Sequence, residues 1–165
     1  MEREKLIQCV QSAQLAPSAE NVQPWRFCIV DDPATKKKLA DAAFAGIYRA
    51  TRWAERAPVL VVIFAQPDIL ANRIGKQMTG INYYLIDIGI AGEHFVLQAE
   101  ELGLGTCWIG WFHAKRAKKA LGVPHSYRAV EMLALGYAAE DYKRTRKRKS
   151  INEIHFYNEY NHEKS

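Results

Sequence analysis

An α+β fold in one domain, with a long helix packed on a small sheet, is predicted by three features of the sequence. Segments of helical and strand periodicity alternate in the order α β α β α β α β. One helical pattern, from Thr79 to Leu102, is much longer than the others. The stretch Ala57–Ala65 is continuously apolar and of strand length, as expected of a central strand covered on both faces.

Each element follows from local chemistry. Leu6, Val10, Ala13 and Ala16 recur at helical spacing over residues 2–16, and Pro17-Ser18-Ala19-Glu20-Asn21 breaks that pattern into a loop. Trp25–Val30 is aromatic and β-branched, a strand. Asp32-Pro33 supplies an N-cap and a helix-starting proline, and Leu39, Ala42 and Ala43 form the buried stripe behind it. Residues 66–80 are polar and irregular, as in a mobile loop. On the long helix Ile81, Tyr84, Leu85, Ile88, Ala91, Phe95, Val96 and Ala99 mark an apolar face, with Gly103 and Gly105 as its stop. Thr106–Phe112 reads as a strand or a strand-edge turn, residues 113–121 as a short basic helix ending at Gly122, and Arg128–Tyr137 as the last strand. Ser150 and Glu153 make a capping-box pattern that opens a terminal helix or arm. There is no internal repeat and no linker, so residues 1–165 are expected to form a single domain, with 138–165 as a C-terminal arm.

Composition narrows the function. The 165 residues are 48% hydrophobic and 25% charged, which excludes wholesale disorder and fibrous repeats. No apolar run reaches the ~20 residues of a membrane span. No signal-peptide core follows the charged N-terminus, so a cytoplasmic location is expected. Cys9, Cys28 and Cys107 are odd in number, lie in apolar stretches and are expected as buried, reduced thiols. The five histidines form no metal-ligand pair, and no metal is expected. The net charge of +5 comes from residues 143–149, where six of seven are basic; the remainder carries 17 basic against 18 acidic residues. That run is a solvated tail, an anion site within the fold, or an arm for a polyanion. A nucleic-acid module using the run is one alternative function, although the basic face with interleaved aromatics that such proteins carry is missing.

No P-loop, G-x-S-x-G or G-x-G-x-x-G is present, and no pair of carboxylates stands out. Asp87 is expected to make a hydrogen bond on the helix face rather than to act as a general base.

Three segments carry a family resemblance. Ala16-Pro17-Ser18-Ala19-Glu20-Asn21-Val22-Gln23-Pro24-Trp25-Arg26-Phe27 resembles the A-P-S-x-x-N-x-Q-P-W-x-F segment of the FMN-dependent nitroreductase family. Ile86–Ala91, followed by Leu97–Gly110, is similar to that family's central helix running into G-L-G-T-x-W-I-G. Leu135-Gly136-Tyr137 with the basic tail resembles its closing segment. The matches keep order and spacing over nearly the whole chain.

The resemblance implies a nitroreductase-like α+β fold with a central, mostly antiparallel sheet flanked by helices. It implies a homodimer with FMN between the subunits, passing electrons from NAD(P)H to a small organic acceptor. Pro17, Ser18, Ala19 and Asn21 correspond to the loop against the isoalloxazine and ribityl chain. Trp108, Ile109 and Gly110 match the strand end beside the ring. Arg144, Arg146 and Arg148 fall where basic residues meet the FMN phosphate. The flavin carries the redox chemistry, so no catalytic side chain is expected. Arginines suit a phosphate, and small residues at Ala19 and Gly110 suit close approach of backbone N–H groups to the ring. Asn21 fits an Asx turn as well as a flavin contact, and Trp108 and Trp111 fit a core or interface as well as a flavin wall.

The family's R-R-S-x-R stretch has no counterpart in the fifteen residues before Ala16, so this chain is expected to start inside the family's first helix. Either other basic residues, among them Arg49, Arg52 and the tail, take over its phosphate contacts, or the chain is a flavin-binding relative with little turnover. Thr51-Arg52 stands where the family places an asparagine before the second strand.

Overall fold

The structure, a computed structural model, describes residues 1–66, 77, 79–138 and 146–159. Four strands, β1 (Trp25–Val30), β2 (Val59–Ala65), β3 (Leu104–Ile109) and β4 (Arg128–Tyr137), form one sheet in the order β1-β2-β4-β3, with every neighbouring pair antiparallel. β1 and β3 are therefore the two edges.

Helices cover both faces. α1 (Arg3–Gln14) and α3 (Tyr83–Glu101) lie on one, and α2 (Pro33–Ala43), the 3-10 helix Gly46–Arg56 and α4 (Ala114–Ala120) on the other. β2 shows why. Val59, Val61, Ile63 and Ala65 enter the core beneath α1 and α3, whereas Leu60, Val62 and Phe64 enter the core beneath α2 and α4. All seven residues are buried, as the unbroken apolar run predicts.

Local signals hold at most element ends. The Asp32 carboxylate accepts the Thr35 N–H at 2.7 Å and caps α2, with Pro33 as its first residue. Ser150 N–H donates to Glu153 Oε2 at 2.8 Å in the capping box of the one-turn helix α5 (Ile151–Ile154). Two details differ from the sequence reading. α3 starts at Tyr83, after Gly80 takes φ +73°, and not at Thr79. Gly103 alone stops α3, again with φ +73°, while Gly105 already lies within β3. Almost all of the loop assigned to 66–80 falls outside the described residues, as do residues 139–145 of the arm.

Two of the three thiols also differ from the expected burial. Cys9 is buried and Cys28 half-buried, and burial pushes both thiols up from the usual range. Cys107 is exposed, because it sits on the edge strand β3, whose outer side no described strand covers.

Candidate functional site

The Pro17–Asn21 loop and the end of β3 both attach to α3. The buried carboxylate of Asp87, 5% exposed, accepts the Ala19 N–H at 3.1 Å. Burial pushes this carboxyl above the usual range, and the Ala19 hydrogen bond partly offsets that. Five residues further along α3, Gly92 lies under the indole of Trp108, and a Cβ there would run into that ring and come within 3.2 Å of Ile63 Cδ1. At 1.5 Å rise per residue the two attachment points are about 7.5 Å apart along the helix.

The loop is internally braced. Ser18 Oγ accepts the Gln23 N–H at 2.9 Å, the Ser18 carbonyl accepts the Asn21 N–H at 3.0 Å, and Gln23 Nε2 donates to Asn21 Oδ1 at 3.1 Å. Glu20, Asn21 and Gln23 adopt left-handed φ values of 51°, 56° and 49°. This costs Glu20 and Gln23 roughly 1–2 kcal/mol each and Asn21 less, and such strain concentrates at ligand sites. Pro17, Ala19 and Asn21 are exposed and Ser18 is half-buried, so the loop presents a polar, pre-shaped surface. One expectation is corrected: the Ala19 N–H is engaged by Asp87, since a buried carboxylate demands a donor, and it is not free for a ligand ring.

On β3 the three matched residues diverge. Trp108 is 36% exposed, with its ring laid on α3. The Ile109 side chain is spent in the core beneath α2 and α4, leaving only its backbone for a ligand. Gly110 is exposed, and a Cβ added there would lie 3.3 Å from Glu131 Oε2. Burial pushes the half-buried Glu131 carboxyl up. The exposed Trp111 is held firmly: its Nε1–H donates to the Ile47 carbonyl at 3.1 Å, its carbonyl accepts from Thr51 Oγ1 at 2.8 Å, and Tyr48 packs on its ring at 5.2 Å.

Beside β3 lies a cavity of about 640 Å³ lined by Trp53, Arg56, Ala57 and Pro58, by Gly105–Cys107, by Ala134–Ala138 and by Arg146. Its size is that of a small-molecule site. Among the described residues two arginines line it and no carboxylate does. Lys5 Nζ donates to Tyr137 OH at 3.0 Å, and that hydroxyl donates to Glu2 Oε2 at 2.6 Å, so α1 holds the far wall. Of the three arginines expected near a phosphate, Arg146 lines this cavity, Arg148 is exposed outside its lining, and Arg144 lies outside the described residues. Arg52 is neutralised by Asp41 at 2.6 Å and Glu55 at 3.0 Å, whereas Arg49 is exposed.

Sequence reasoning missed Arg56 and Gly92. Arg56 stands one residue before the apolar run Ala57–Ala65, which places it at a strand mouth. Gly92 is a glycine in mid-helix, a residue type that costs about 1 kcal/mol there unless something must approach closely.

A family model described as the nitroreductase family matches residues 1–137. An NADH dehydrogenase of Thermus thermophilus is 30% identical over 162 residues, spanning 82% of this chain and 77% of its own. A nitroreductase family protein from Clostridium novyi superposes with a TM-score of 0.72 at 34% identity, covering 83% of this chain and 75% of its own. An FMN-dependent nitroreductase from Clostridium difficile does so with a TM-score of 0.72 at 28% identity, covering 96% and 89%.

Proposed function

Because the chain belongs to the nitroreductase family, we propose that it is a flavin-dependent oxidoreductase that holds FMN and passes electrons from NAD(P)H to a small organic acceptor as a homodimer. The observation that carries this reading is the arginine-lined cavity over the paired Gly105–Cys107 and Ala134–Gly136 segments of β3 and β4, on the strand whose far end carries Trp108, Ile109 and Gly110. The donor set suits FMN: planar guanidinium groups for a phosphate, aromatic Trp53 and Tyr137, and an edge strand with outward backbone donors and acceptors for the ring's polar rim.

Bound FMN would supply the two-electron chemistry, taking reducing equivalents from the nicotinamide and returning them to the acceptor. The chain's own part is to bind, orient and shield. Arg146 would hold the anionic end. Gly110, exposed and without a side chain, presents its backbone beside the Glu131 carboxylate. Trp111, fixed by two hydrogen bonds, would bound the open side without paying rotamer entropy on binding.

One observation supports the dimer. α3 turns Leu85, Ile86 and Leu97, the last 61% exposed, away from the core, exposed apolar side chains suited to a partner.

The test is the visible spectrum of the purified protein, followed by release of its chromophore and anaerobic titration with NADH and NADPH. FMN bleached by either nucleotide is the expected result. Protein without chromophore that takes up no added FMN contradicts the reading.

A further inference from the structure

We propose that Arg56 is a phosphate-binding residue, forming with Arg146 a two-arginine clamp for the phosphate monoester of the flavin nucleotide. The inference rests on the flavin reading above.

Arg56 is the last residue of the 3-10 helix Gly46–Arg56, and its backbone is fixed on both sides. Ala54 is fully buried, the Ala57 N–H donates to the Ala54 carbonyl at 3.1 Å, and Lys36 Nζ donates to the Ala57 carbonyl at 2.6 Å. The guanidinium is thus carried on a rigid base into the cavity that Arg146 enters from the arm. Among the described residues neither arginine makes an ion pair, and no acidic residue lines the cavity. Arg52, one helical turn earlier, is by contrast neutralised by two carboxylates. Two like charges in one concavity raise its potential, and a dianion relieves it with charge-assisted, bidentate hydrogen bonds. Cys107, in the cavity wall, lies three residues before Gly110, about 10 Å along an extended strand. A ligand anchored by its anion at Arg56 and Arg146 would therefore run along this wall toward Cys107.

The test is a fluorescence titration of apoprotein with FMN and with riboflavin, which lacks the phosphate. Arg56→Gln is expected to weaken FMN binding by about tenfold or more and to leave riboflavin binding unchanged. Arg56→Lys, which keeps the charge but not the fork, is expected to fall between. Arg49→Gln, an exposed arginine outside the cavity, is expected to match the unaltered protein. An FMN-to-riboflavin ratio in Arg56→Gln equal to that of the unaltered protein overturns the clamp. So does an equal loss of both ligands, or a loss confined to NADPH relative to NADH. Unaltered protein that binds neither flavin refutes the flavin reading itself and the clamp with it, a separate and recognisable outcome.

Discussion

Asp87 Oδ1 accepts the backbone N–H of Ala19 at 3.1 Å, tying the centre of the long helix to the most strained loop of the molecule. The bond turns a buried carboxylate into a structural anchor rather than an acid or base of a reaction.

Replacing that anchor separates its two contributions. Asp87→Ala leaves the Ala19 N–H without a partner and is expected to cost about 1–3 kcal/mol in urea unfolding. Asp87→Asn keeps an acceptor and loses only the charge. The Asp87 carboxyl is raised by burial above its ordinary 3.8, so the folded state binds the proton more tightly than the unfolded chain. The stability this confers is fully present below pH 3.8 and is lost as pH rises through the folded-state value. Asp87→Asn should therefore gain on the unaltered protein between pH 3.8 and neutrality, measured as paired urea midpoints. A gap that stays constant with pH counts against it.

Gly92→Ala probes the seat of Trp108. In an open helix the change favours stability by about 1 kcal/mol, but here the methyl meets the indole. Overpacking of this kind costs about 1–3 kcal/mol, so the propensity gain is cancelled or outweighed, with a net loss of up to about 2 kcal/mol and a red-shifted tryptophan emission as the ring leaves α3.

Glu20 pays for its left-handed backbone without the local tolerance of asparagine. Glu20→Gly is expected to stabilise the fold by up to about 1 kcal/mol, and Glu20→Val to destabilise it by more than that, in thermal unfolding.

Ile86→Glu places a charge among the outward apolar side chains of α3, at a position 49% exposed in the single chain. Sedimentation should show a monomer that is still folded, because no core contact is removed, and flavin content should fall with the dimer. A folded dimer with full flavin content contradicts the shared site.

The fold was legible wherever a local rule and a packing need agreed. The apolar run of β2, the Asp32 cap and the Arg128–Tyr137 strand are such cases. The start of α3 was not, because Ile81 continues the helical spacing while Gly80 takes a conformation that periodicity does not encode. Nor was the exposure of Cys107, since strand order decides which apolar stretch becomes an edge. At the site, motif matching found the loop and the strand end but not what each side chain does. It could not show that Ala19 spends its N–H on Asp87, or that Ile109 points into the core. Arg56 and Arg146 are ninety residues apart in sequence, and only the fold brings them to one cavity.

Mixing two impaired variants tests most directly the central claim, a flavin site shared between two copies of the chain. Ala19→Trp blocks the loop half, and Arg56→Glu with Arg146→Glu reverses the clamp half, so each purified alone should lack flavin. Co-refolded in equal amounts, half of the dimers should be mixed with one intact site in two, restoring about a quarter of the normal flavin content. Recovery near that fraction is what a shared site predicts. A mixture that binds no more flavin than its separate components contradicts it.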